Sequence, residues 1–163
     1  MTAYTPRDFS QTLSLAVAAA ERGEYAAALP MLQSVYRAIA PESAPLGLST
    51  YGLCLARIEG KRKLGMEFCR RATLIAPDDG RHWANLVRMY ILLRNRRTAV
   101  ETLEATLGRL RHDPALLRVR SEIGYREAPS LSFLSRTNPL NKLYSRTAWK
   151  LKHFRAQHQS PPA

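Results

Sequence analysis

The chain has 163 residues, with 25 Lys+Arg against 13 Asp+Glu and a formal net charge of +12. That length suits one domain whose core needs no metal or disulfide staple, and ordinary shares of 45% hydrophobic and 23% charged residues exclude wholesale disorder. No apolar run is long enough for a membrane-spanning helix, and no basic-then-apolar leader opens the chain. Cys54 and Cys69 are too few for a disulfide framework and lack metal-ligand spacing, so a reducing cytoplasm is the expected setting.

From residue 8 to residue 110 apolar side chains recur at spacings of three and four, the pattern of amphipathic helices. Leu13, Ala16, Val17 and Ala20 form the first stripe, and Leu29, Leu32, Val35, Tyr36 and Ile39 the second. Tyr51, Leu55 and Ile58 form the third, and Met66, Cys69, Thr73 and Ile75 the fourth. Trp83, Leu86, Val87, Tyr90 and Leu93 form the fifth, and Val100, Leu103, Leu107 and Leu110 the sixth. Short breaks at Gly23, Pro41, Gly60, Pro77 and Asn95 separate them, as antiparallel helix pairs require. No stretch alternates with period 2. The expected fold class is all-α.

The breaks repeat. Gly23-Glu24-Tyr25-Ala26-Ala27-Ala28 matches Gly60-Lys61-Arg62-Lys63-Leu64-Gly65 and Arg94-Asn95-Arg96-Arg97-Thr98-Ala99, at steps of 37 and 34 residues. The small residues Ala28, Gly65 and Ala99 keep one register, where the two helices of a hairpin cross closely. The second unit carries one extra residue between Gly52 and Gly60. Trp83, Leu86 and Tyr90 followed by Ala99, together with Gly52, Gly65, Ala72 and Pro77, and with Gly23, Tyr25, Ala28 and Pro41, resemble the tetratricopeptide repeat (TPR) family. The resemblance spans roughly residues 8–113. It implies a right-handed α-α superhelix of stacked hairpins, with first helices lining a concave groove. Asp113 followed by Pro114 starts a further helix, expected to cap the stack through Leu116, Leu117, Val119 and Ile123.

The expected domains are a TPR-like helical region over 8–126 and a basic tail over 127–163. The tail opens on a Pro- and Ser-rich segment holding Leu131, Phe133 and Leu134, expected to pack on the solenoid. Asn138-Pro139 then starts a basic amphipathic helix with Leu140, Leu143, Tyr144, Thr147 and Leu151 on one face. Lys142, Arg146, Lys150 and Lys152, with Arg155, make its basic surface. That helix fits three roles: final cap, anchor on an anionic membrane, or binder of a protein or nucleic acid.

Charge is uneven. Residues 1–79 hold 9 Lys+Arg and 8 Asp+Glu, whereas residues 80–163 hold 16 and 5. This points to an anionic partner or to a merely basic soluble face. No catalytic constellation or cofactor motif is readable: His82, His112, His153 and His158 lack metal spacing, there is no phosphate loop, and the carboxylates are scattered. Neither enzymatic activity nor a cofactor is therefore expected. The resemblance implies an extended peptide in the groove, with Arg81, Asn85 and Arg88 on one exposed helical face and Arg57 in the preceding unit as candidate contacts, guanidinium pairing bidentately with carboxylate. The leading expectation is a protein-interaction adaptor or scaffold holding an extended or acidic peptide. The alternatives are a binder of nucleic acid or anionic membrane through the second half and tail, or an assembly subunit self-associating through the tail.

Overall fold

The computed structural model describes residues 6–124. The chain divides into two units after Gly124, and the tail readings, the basic face of Lys142, Arg146, Lys150 and Lys152 included, lie outside the described residues.

Seven α-helices are present among the described residues: α1 (Pro6–Glu21), α2 (Tyr25–Ala38), α3 (Pro45–Ile58), α4 (Arg62–Ile75), α5 (Gly80–Leu92), α6 (Arg96–Arg109) and α7 (Pro114–Glu122), with a 3-10 turn at Pro41–Ser43. They form three antiparallel hairpins, α1/α2, α3/α4 and α5/α6. The first helices also pack on one another, α1 on α3, α3 on α5 and α5 on α7. This all-helical stack of hairpins is the architecture expected from the repeating turns.

Each turn has a physical cause in its sequence. Gly23, Gly60 and Gly124 adopt left-handed φ values of 87°, 68° and 57°, a region open to glycine without steric cost. The following amide closes the turn: Glu24 donates to the Ala19 carbonyl at 3.0 Å and Asn95 to that of Tyr90 at 2.9 Å. In the second hairpin Lys61 donates to Leu55, six residues back, at 3.2 Å. The extra residue of the second unit is taken up there. Between hairpins, Asp79 starts α5 by accepting from the Arg81 amide at 3.0 Å. Asp113 starts α7 in the same way, from Ala115 at 2.9 Å and Leu116 at 3.1 Å. Each side chain satisfies amides that the first helical turn leaves without partners.

The core runs along the stack as three joined clusters. Ala16, Ala20, Leu29, Leu32 and Leu55 centre the first, Leu53, Met66, Cys69, Leu86 and Met89 the second, and Val87, Ala99, Leu103, Leu116 and Val119 the third. Tyr51 stacks between Tyr36 and Phe68, with ring centroids 5.4 and 5.7 Å away, and ties α2, α3 and α4 together. Three stripe residues are not core: Ile58, Ile75 and Leu93 sit at helix ends and are exposed. The periodicity is right there, but the helix has left the interface. Leu116 and Val119 are fully buried while Leu117 is exposed, so α7 seals the third cluster with one face only. The two cysteines are free and buried in facing helices. Burial pushes the Cys54 thiol up to about 12 despite the nearby Arg57 charge, and raises that of Cys69 as well, so neither is a thiolate at neutral pH.

Candidate functional site

The first helices form one continuous wall, and the wall holds a groove. It is lined by Val17, Ala20 and Glu21 of α1, Leu46, Thr50 and Leu53 of α3, Arg81, Asn85 and Arg88 of α5, and Ala115 and Arg118 of α7. The floor is apolar, since Val17, Ala20 and Leu53 are buried, and the cations gather on the α5 and α7 side.

The expected contacts Arg81, Asn85 and Arg88 therefore meet in one groove, but they are not equally available. Asn85 is buried instead of exposed. Its amide donates to the Ser49 hydroxyl at 3.0 Å, and its carbonyl oxygen accepts from Arg88 Nη1 at 3.1 Å. Arg88 also grips Glu122 of α7 bidentately, at 2.7 and 2.9 Å. Arg81 holds its own helix-starting Asp79 at 2.7 and 3.0 Å. Arg57 lies outside the lining residues, with its guanidinium 4.6 Å from the centroid of the Tyr25 ring. Sequence reasoning missed Arg118. A signal for it existed: Asp113 follows Asp79 by 34 residues, and Glu122 follows Arg88 by 34. That spacing makes α7 the next member of the first-helix series, so its side chains line the same wall. Arg118 is exposed, and its side chain makes no hydrogen bond or ion pair with the described residues.

Beneath the groove lies a buried polar cluster. Ser49 Oγ and His82 Nδ1 are 3.2 Å apart, and His82 Nε2 is 3.8 Å from Asp79 Oδ2. The residue types are those of a hydrolytic triad, but Ser49 and His82 are 0% and 1% exposed. No substrate atom reaches the hydroxyl, and the cluster instead joins α3 to α5. Cys69 adds a donor to the Ser49 carbonyl at 3.3 Å. Burial lowers the His82 pKa, against the opposing pull of Asp79 and with the help of Arg81. Burial pushes the Asp79 carboxyl up, but the Arg81 side chain and amide, with His82, outweigh it and hold the carboxyl down.

A pH dependence follows. A histidine whose pKa is lower folded than unfolded stays neutral in the native state while the unfolded chain takes up a proton near the ordinary value of about 6.5. Stability is then complete above that value and falls as pH drops through it. The melting midpoint should decline between pH 7.5 and pH 5 (roughly the span over which histidine titrates), and the decline should be shallower in His82→Gln. Equal slopes for both proteins would remove His82 as the cause.

No family model and no curated protein matches this sequence. Among solved structures, the crystal structure of the Sgt2 TPR domain from Aspergillus fumigatus is similar, with a TM-score of 0.54 and 20% sequence identity over 99% of this chain and 89% of that one. The hairpin stack, the small residues at its crossings and this likeness agree, and the chain has a TPR-like fold.

Proposed function

We propose that the protein is a non-enzymatic interaction module that holds an extended, acidic segment of a partner protein along the first-helix groove. Arg118 carries this reading. It lines a groove with an apolar floor, and its guanidinium has no hydrogen bond or ion pair among the described residues. A guanidinium so presented suits a carboxylate, which it pairs with bidentately. Arg88 supports the same reading: it already holds one carboxylate, that of Glu122, in bidentate geometry. A partner carboxylate would meet Arg118 first and then compete with Glu122 for Arg88. The buried floor of Val17, Ala20 and Leu53 supplies apolar contact for the intervening residues of the segment.

The test is selection from a displayed random-peptide library, followed by affinity measurement with the synthetic winners. Acidic peptides should dominate. Arg118→Glu should abolish their binding and leave the melting point unchanged, because the side chain is exposed and has no partner among the described residues. Glu122→Gln should tighten binding by freeing Arg88. Winners without acidic residues, or affinity indifferent to Arg118→Glu, would overturn the proposal.

A further inference from the structure

The helix-turn edge of the stack has a chemistry of its own. α3 and α5 run side by side, with Ser49 and Thr50 against Asn85 and with Leu53 and Ala56 in one cluster with Leu86 and Met89. Their C-terminal ends, and the turns that leave them, therefore share one edge. Over residues 58–64 and 93–97 that edge carries six cations, Lys61, Arg62, Lys63, Arg94, Arg96 and Arg97, against one carboxylate, Glu59. Glu59 is already occupied by Lys61 at 2.7 Å and Gln33 at 3.0 Å. Arg97 is met by Glu101 at 2.8 Å, and Arg96 reaches the Ile123 carbonyl at 2.7 Å. The side chains of Arg62, Lys63 and Arg94 make no hydrogen bond or ion pair with the described residues.

The protein concentrates this charge against local preference. Arg94 sits at φ 61° where the other three turns place glycine, a region that L side chains seldom enter. Neither α4 nor α6 has an acidic residue in its first turn, and both open on basic pairs that oppose the helix macrodipole. Exposed aliphatic side chains stand beside the cations: Ile58 at 48%, Leu64 at 38% and Leu93 at 36% exposure. The opposite edge is different. It also exposes Leu74 and Ile75, but there Arg71 faces Glu42, Arg81 faces Asp79 and Arg109 lies 3.8 Å from Asp78.

We propose that this turn edge, Ile58–Leu64 with Leu93–Arg97, is a docking surface for an anionic lipid bilayer. Cations without partners among the described residues would lie at the headgroup level and draw the protein to negative lipid. The three aliphatic side chains would enter the interface between headgroups and acyl chains, as the apolar part of an interfacial element does. Phosphate on a duplex would satisfy the cations equally well but has no use for Ile58, Leu64 and Leu93, and no aromatic side chain stands in these two turns to stack on a base. The aliphatic neighbours favour lipid.

The experiment is co-sedimentation of the full chain with phosphatidylcholine vesicles, with and without phosphatidylserine, alongside a duplex oligonucleotide in a mobility assay. Binding should require phosphatidylserine and weaken with salt. The triple variant Arg62→Glu, Lys63→Glu, Arg94→Glu should lower vesicle affinity by about tenfold or more. Arg94→Gly, which places glycine where the other turns have it, should melt at the same or a higher temperature and still bind vesicles more weakly. Leu64→Ser with Leu93→Ser should weaken vesicle binding without altering any binding to the duplex. The proposal is overturned if the wild-type chain ignores phosphatidylserine, or if the triple variant binds vesicles like the wild type. It is equally overturned if the serine pair leaves vesicle affinity intact.

Discussion

Gly65→Ala is expected to destabilise the protein by about 2–4 kcal/mol, although alanine is the better helix former by about 1 kcal/mol. The reason is the α3–α4 crossing. A Cβ at Gly65 would collide with the backbone carbonyl of Gly52 and lie 3.0 Å from the Ala56 Cβ; a Cβ at Gly52 would lie 2.6 Å from the Gly65 carbonyl oxygen. Backbone cannot rotate out of the way as a long side chain can. The two helices must move apart, and the packing of Leu53, Ala56, Met66 and Cys69 between them is lost with the approach. Gly108 gives the control. It is a helical glycine of α6 with nothing within 4 Å of the position its Cβ would take, so Gly108→Ala should stabilise by about 0.5–1 kcal/mol. Ala99, fully buried at the equivalent crossing of the third hairpin, should lose about 1–3 kcal/mol on replacement by Leu through overpacking. Urea unfolding of the three variants tests the set. If Gly65→Ala and Gly108→Ala shifted stability in the same direction, the close crossing would not exist.

The fold is legible in the sequence because its punctuation is local. Glycine at 23 and 60 is favoured by the left-handed backbone of the turns, and small residues at 28, 65 and 99 by the close helix crossings, whatever the rest of the chain does. The groove is only partly legible, and the reason is equally physical. Helical spacing puts Arg81, Asn85 and Arg88 on one face, but it does not say which side chains are already engaged. Asn85 belongs to the polar cluster with Ser49 and Thr50 of the neighbouring hairpin, contacts made 36 and 35 residues away. Arg57 reads as a groove cation from its place near the end of α3, yet its guanidinium lies over the Tyr25 ring instead. Arg118 escapes a sequence reading because Asp113-Pro114 looks like the start of a cap, and a cap has no reason to continue the wall of first helices. Glu122, whose carboxylate decides how free Arg88 is, is hidden for the same reason.

Leu116→Ala tests whether α7 is an integral member of the stack, and the expected cost is about 2–5 kcal/mol. Leu116 is fully buried in one cluster with Ala84, Val87, Ala99 and Leu103, so its side chain sits between α7 and the third hairpin. Truncation removes its own burial and leaves a cavity walled by residues that pack against it. The neighbouring Leu117 is 43% exposed, and Leu117→Ala should change stability by less than about 0.5 kcal/mol. The two variants delete the same atoms one residue apart, so composition and helix propensity cancel in the comparison. The loss should also be uneven along the chain. In a stack of units that contact only their neighbours, damage at one end opens that end first. Amide exchange in Leu116→Ala should therefore quicken in α5, α6 and α7 well before α1 and α2. Arg118 and Glu122 ride on the same helix, so under the proposed function the variant should also weaken capture of an acidic peptide without touching any groove residue. Equal stability losses for the two leucine variants, or uniform acceleration of exchange across all seven helices, would mean that α7 does not extend the wall of first helices.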